Sequence, residues 1–76
     1  DLKDFISNFA AQFPDEDSSS ITADTDFHEL DTWLSLNSLL VVTMVFQEYG
    51  VELESQDVRD ADTIEDLYNI VKNRKA

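Results

Sequence analysis

The 76-residue chain contains no cysteine, which excludes a disulfide framework, a zinc–thiolate site and a cysteine nucleophile. Basic residues are also few: five Lys or Arg stand against 17 Asp or Glu, for a formal net charge of −12. This balance disfavours binding to nucleic-acid phosphates and to anionic membranes. A chain this short forms one domain, residues 1–76, and buries too little surface for a deep enzyme cleft. We therefore expect a protein that is not an enzyme.

Long hydrophobic runs are missing as well. Residues 32–47 carry no charged side chain, but six polar residues interrupt this window. It is also shorter than the roughly 20 apolar residues that a membrane-spanning helix needs. No secretory signal is visible, although the chain starts at Asp1 without Met. We expect a cytoplasmic protein without membrane insertion.

The acidic charge is concentrated in the middle of the chain. No Lys or Arg occurs from Asp4 through Val58, and this stretch holds 12 acids. The other five acids balance the five bases, so the net charge belongs to the middle. With 42% hydrophobic residues and eight aromatics, the chain is still apolar enough to fold.

Apolar residues at helical spacing predict a first helix over residues 2–13, ended by Pro14. Residues 14–31 form a long acidic loop rich in Ser and Thr. A loop of this length is uncommon in a compact domain unless it is functional or covers the core. We expect Ile21 and Phe27 to anchor it.

A second helix is predicted over residues 35–49, with Gly50 just past its end as a left-handed cap. Ser55 suggests the cap of a short helical turn, and residues 63–66 resemble a capping box that opens a last helix. No strand alternation or repeat is present. The fold class is all-α, with three main helices and one short helix.

The second helix is apolar nearly all round. One stripe can face the core: Ser38, Val41, Val42, Val45 and Tyr49. Other apolar residues lie partly or wholly off that stripe: Leu36, Leu39, Leu40, Met44 and Phe46. Either these residues form an exposed binding surface, or the long loop folds over them. Both alternatives make this helix the functional candidate.

Residues 27–36 read Phe-His-Glu-Leu-Asp-Thr-Trp-Leu-Ser-Leu, which resembles the Phe-x-x-Leu-x-x-Trp-Asp-Ser-Leu motif of acyl carrier proteins. Residues 46–53 are similar to the end and exit of that family's second helix, and residues 63–67 to the start of its last helix. The resemblance to the acyl carrier proteins covers nearly the whole chain. It implies a four-helix acyl-carrier-like bundle with a long loop between the first two main helices.

The resemblance also implies a function. A phosphopantetheinyl transferase would attach the 4′-phosphopantetheine arm of coenzyme A to Ser35, with Mg²⁺ assisting. The arm's thiol would carry acyl groups as thioesters for fatty-acid, polyketide or related biosynthesis. Acyl-transferring and condensing enzymes would dock on the second helix of a monomeric carrier. A peptidyl carrier is a weaker version of the same hypothesis.

Two serines compete for the attachment site. Asn37-Ser38-Leu39 superficially matches Asp-Ser-Leu better than the sequence around Ser35 does. Counting forward from Phe27 and back from Gly50 nevertheless places the family serine at Ser35. Ser38 lies three residues into the helix, where we expect its side chain to turn inward.

Two departures from the family pattern support an alternative. The acid that precedes the family serine is Leu34 here, and the second helix is nearly free of acids. The alternative is an unmodified protein of the same fold that acts as an interaction module. In both hypotheses the partner-binding residues are Leu36, Leu39, Leu40 and Phe46.

Other candidate sites are weaker. Four residues, Asp15, Asp17, Ser19 and Asp26, fall at calcium-loop positions, but Ser20 stands where such a loop needs glycine, so a solvated acidic loop is the better interpretation. The only histidine, His28, is expected to pack or lie on the loop surface. We expect Trp33 to plug the core behind the serine.

Overall fold

The computed structural model describes residues 1–14, 16–30 and 33–75, apart from the side chains of Ser18 and Ser35. These residues form four α-helices and no strand, which confirms the all-α class. In chain order the helices are α1 (Leu2–Ala10), α2 (Ser35–Tyr49), α3 (Ser55–Asp60) and α4 (Ile64–Lys75). Within the described ranges, no helix combines the length and the apolar character needed to cross a membrane.

Helix α1 ends at Ala10, three residues earlier than predicted. Beyond it the backbone N–H groups of Gln12 and Phe13 donate to the carbonyls of Phe9 and Ala10, both at 3.0 Å. These i→i−3 bonds tighten the chain into 3₁₀-like turns. The change of geometry is expected before Pro14, because a proline disfavours the helical region for the residue that precedes it.

The long loop is fastened to the bundle at several points. It contains single 3₁₀ turns at Ser18–Ser20 and Phe27–Glu29. Ile21 and Phe27 are buried, which confirms both predicted anchors. The carbonyls of Thr25 and Ala23 accept hydrogen bonds from the first two N–H groups of α4, at 3.2 and 3.0 Å. The loop therefore satisfies donors at the start of α4 that lack a partner within the helix.

The core is built around aromatic side chains from α1 and the loop. Phe9 lies between Phe13 and Phe27, with ring centroids 5.3 Å from each. Helix α2 contributes Val41 and Val45, both fully buried. Edge-to-face and offset ring contacts of this kind add to the free energy gained from burial. The remaining fully buried large side chains are Phe5, Val58, Ile64 and Leu67.

The cap of α4 agrees with the sequence prediction, and the cap of α3 does not. Thr63 and Asp66 form the predicted reciprocal capping box, with both backbone-to-side-chain bonds at 3.2 Å. At α3 the prediction was wrong: Ser55 is the first helical residue, and the N-cap is Glu54. The Asp57 carboxylate reaches back to accept from the N–H of Glu54 at 2.9 Å.

Asp57 also joins α3 to α4. Its two carboxylate oxygens accept from both terminal nitrogens of Arg74, at 2.6 and 2.8 Å. The Arg74 hydrogen bonds, followed by the bond from the Glu54 N–H, hold the pKa of Asp57 below its ordinary value. Such a bidentate pair fixes geometry as well as charge, so it sets how the last turn of α4 lies on α3.

Replacing Arg74 with Gln should lower the melting temperature near neutral pH, because Asp57 loses its bidentate partner. The folded-state pKa of Asp57 is depressed, so its contribution is present above the unfolded-state pKa and disappears as pH falls through the folded-state pKa. The difference in melting temperature from wild type should therefore be constant between about pH 5 and 7 and should shrink as pH falls below about 4, the ordinary range of an aspartate pKa. Thermal denaturation across this range measures it.

Arg74→Lys is the matched control, since it keeps the charge and loses only the planar fork. Arg74→Lys should recover part of the melting temperature that Arg74→Gln loses. If the difference in melting temperature between wild type and Arg74→Gln stays undiminished at the lowest pH, the effect does not come from the Asp57 carboxylate.

Candidate modification and docking site

Helix α2 begins without a conventional cap. Leu34 is the N-cap residue, with extended backbone angles (φ −132°, ψ 167°), and Ser35 is the first helical residue. The leucine side chain has no acceptor for the N–H groups of the first turn. Asn37 supplies half of a capping box, since its side-chain oxygen accepts from the N–H of Leu34 at 2.7 Å. The Ser35 side chain itself lies outside the described part of the structure.

Trp33, just before α2, packs against the core. Its ring lies 5.8 Å from Phe13 and 5.1 Å from Phe27, in stacked and tilted arrangements. The ring is partly buried against the core, as predicted. Trp33, two residues before Ser35, is therefore held by aromatic packing against Phe13 and Phe27.

His28 packs in the same cluster and fastens it to α3. The imidazole Nε2 lies 3.1 Å from the carbonyl oxygen of Val58, and the ring meets Trp33 edge-on at 5.5 Å. Its Nδ1 is 3.5 Å from a carboxylate oxygen of Asp26. This is the packing role expected for the histidine.

The buried side of α2 is wider than the sequence indicated. Val41 and Val45 face the core as predicted, and Ser38 and Val42 are half-buried. Met44 is buried too, although it was expected to lie off the core stripe. Helix α2 packs against both α1 and α3, so more than one narrow stripe of it is covered.

The opposite side of α2 is an exposed apolar surface, here called the docking face. Leu36, Leu39, Leu40 and Phe46 are 62, 55, 39 and 57% exposed. The alternative in which the long loop covers these four residues is therefore wrong. Leu34, which the sequence marked only as a departure from the family motif, joins them at 66%. The sequence could have predicted this exposure, since Leu34 is a leucine at the open start of the same helix.

Charge surrounds the docking face without entering it. No charged residue occurs from Trp33 through Gln47. Exposed acids follow the face at Glu48, Glu52 and Glu54, and others precede it at Asp26 and Glu29. The face is thus uncharged at its centre and acidic at both ends of α2.

A phosphodiester on Ser35 would meet mixed electrostatics. The N-terminus of a helix favours an anion through its N–H groups and dipole. No Lys or Arg occurs in sequence between Asp4 and Val58, and the acids Asp26 and Glu29 precede the helix. The helix terminus is therefore the feature at the start of α2 that favours an anion.

The acidic loop has its own local bonding. The Asp17 carboxylate accepts from the N–H and hydroxyl of Ser19, at 3.0 and 2.8 Å, and these bonds lower its pKa. Asp15, the first position of the candidate calcium loop, lies outside the described residues. Within the described ranges, no group of three or more His, Asp or Glu side chains could hold a metal ion.

The chain matches no protein-family model, no curated protein and no solved structure. The relation to the acyl carrier proteins is therefore a resemblance of motifs.

Replacing Leu34 with Asp should raise the free energy of unfolding by about 1 kcal/mol, because aspartate caps the first turn of α2 and favours its dipole. Leu34→Ala removes the same exposed side chain without supplying an acceptor, and we expect it to stay near wild type. Urea denaturation in about 0.15 M salt, where charge repulsion is screened beyond about 8 Å, measures both. An aspartate variant no more stable than the alanine variant would contradict the inference that a capping acceptor is missing at this helix start.

Proposed function

We propose that this protein is an acyl carrier that bears a 4′-phosphopantetheine arm on Ser35 and presents acyl thioesters to biosynthetic enzymes. The oxygen of the serine hydroxyl would attack the phosphorus of coenzyme A that bears the pantetheine. The bond from that phosphorus to the nucleotide would break, and the hydroxyl proton would pass to a base of the transferase. The chain itself supplies the acceptor serine and the docking face.

The observation that supports this proposal most is the position of Ser35 as the first residue of α2. Donors at this end of a helix favour a phosphodiester. Ser38 is a less suitable acceptor, since it lies a turn further into α2 and is half-buried. The order of the helices and the aromatic support under Trp33 are consistent with the resemblance that suggested a carrier.

The second candidate is an unmodified interaction module of the same fold. The exposed Leu34 favours it, because this side chain offers no carboxylate at the position where the resembled family has an acid. The docking face favours it as well, since it is available whether or not Ser35 is modified. The two candidates differ in one measurable event, the transfer of the arm.

Incubation with coenzyme A, Mg²⁺ and a broad-specificity phosphopantetheinyl transferase should add the mass of one arm to the intact protein. Intact-mass spectrometry should show the addition abolished in Ser35→Ala and retained in Ser38→Ala. Leu34→Asp should accelerate the transfer, because it restores the acid of the family motif.

If the arm is absent from wild type and from Leu34→Asp alike, the carrier proposal fails and the interaction module stands. Addition that survives in Ser35→Ala and is lost in Ser38→Ala would move the attachment site instead. Circular dichroism of each variant separates loss of the acceptor from loss of the fold.

A further inference from the structure

A cleft opens at the end of the bundle away from Ser35, where the start of α1, the last residue of α2 and the second half of α4 meet. Its volume is about 270 Å³. Ser35 and Tyr49 are the two ends of α2, about 21 Å apart at the α-helical rise. No residue of the docking face lines the cleft. The cleft is therefore separate from both parts of the candidate modification and docking site.

The lining of the cleft is largely aromatic. The fully buried ring of Phe5 lies 5.7 Å from the ring of Tyr49 and 5.5 Å from that of Tyr68, both in tilted arrangements. Both tyrosines are half-buried, and Val71 adds a buried apolar surface beside them. The hydroxyl of Tyr49 accepts a hydrogen bond from Asn8 Nδ2 at 3.0 Å, which fixes the direction of its ring. The cleft thus offers a preformed apolar surface that suits a planar aromatic group.

Two lysines on the same face of α4 place positive charge at this cleft. Lys72 and Lys75 line it, and Lys75 Nζ lies 5.9 Å from the centroid of the Tyr49 ring. Neither lysine forms an ion pair with another described residue, so both ammonium groups are available to a ligand. Asp1 is the acid in the lining, and Glu52 lies in the adjoining groove with Arg74. The lining therefore carries one net positive charge in a strongly acidic protein.

Size and charge together select the ligand. The volume is just below the range of about 300–1,000 Å³ typical of sites for drug-sized molecules, so it suits a ligand with a single ring. A lining with one net positive charge matches a monoanion better than a phosphate dianion, which the Asp1 carboxylate would repel. We propose that this cleft binds a small planar aromatic carboxylate.

In this site the aromatic ring of the ligand lies against Phe5 and the two tyrosines, and its carboxylate lies near Lys72 and Lys75. Such a ligand contacts α1, α2 and α4 at once, and should therefore raise the melting temperature of the protein. This binding activity goes beyond the proposed function and does not depend on attachment of the arm.

The probe is cinnamate, a planar aromatic carboxylate with one ring. Heteronuclear NMR titration of the isotopically labelled protein should give a dissociation constant of about 1 mM, with shifts concentrated at the cleft residues. Two matched controls separate the contributions. Cinnamamide has the same shape without the charge, and cyclohexanepropionate has the charge without the aromatic ring. Each should bind about fivefold more weakly than cinnamate.

Charge variants test the electrostatic part of the site. Replacing both Lys72 and Lys75 with Gln should weaken cinnamate binding about fivefold and leave cinnamamide binding unchanged, since exposed ion contacts contribute modestly and only to the anion. Asp1→Asn keeps the cap of α1 and removes the opposing charge, so it should tighten binding about twofold. Arg59→Gln, which removes a base outside the cleft, is the control and should change neither ligand.

A pair of tyrosine variants tests the aromatic part. Tyr68→Leu should weaken cinnamate binding about fivefold, and Tyr68→Phe should bind like wild type, because phenylalanine keeps the ring. Circular dichroism of each variant checks the fold, and the comparison of the three ligands on wild type holds whether or not Tyr68→Leu folds.

Equal binding of cinnamate and cinnamamide to wild type would overturn the inference, as would a double lysine variant that binds cinnamate like wild type. Shifts that cluster at Leu36, Leu39 and Phe46 would assign the ligand to the docking face and also overturn it. None of these outcomes bears on arm transfer to Ser35, which mass spectrometry tests separately.

Discussion

Helix α2 carries more apolar surface than a domain of 76 residues can cover, and this constraint organises the rest of the molecule. Helices α1 and α3 pack against α2, and Val41, Met44 and Val45 on α2 are buried. The fourth helix completes the core by packing on α1 and α3. Among the described residues no element covers the other side of α2, because the long loop packs at the start of α4 and in the aromatic cluster around Trp33. An exposed apolar face is the result of this geometry.

The charge distribution follows from the same constraint. An exposed apolar helix in a neutral protein would promote association of identical copies. Here the loop before α2 and the segment after it hold nearly all the unbalanced acids, so copies repel while the face stays uncharged. Four of the five bases lie near the chain ends, and one of them, Arg74, pairs with Asp57. The net charge of −12 therefore opposes association of identical copies and leaves the docking face itself uncharged.

Predictability from sequence depended on whether a feature was local. Gly50 has the left-handed conformation expected of it (φ 68°), and Thr63 with Asp66 forms the expected capping box, because both depend only on residues within a few positions. The burial of Met44 depends on tertiary packing, which residues nearby in sequence do not determine. The cap of α3 is an exception to this division, since Glu54 and Asp57 are only three positions apart and the prediction still placed the cap one residue late. The exposure of the docking face required knowing where the loop goes. Its backbone bonds to α4 decide this, and no periodicity encodes them.

The two candidate functions favour different side chains at the position of Leu34. At the N-cap an acid would stabilise α2 and restore the motif of the resembled family. The same acid would replace the most exposed leucine of the docking face with a charge. It would also add to the acids before α2, where an arm phosphate would have to lie. Leucine at this position therefore lacks the stabilising effect of an N-cap side chain, but it extends the apolar face to the residue beside Ser35. Selection for attachment of the arm alone would not favour this choice, whereas selection for apolar docking at the start of α2 would.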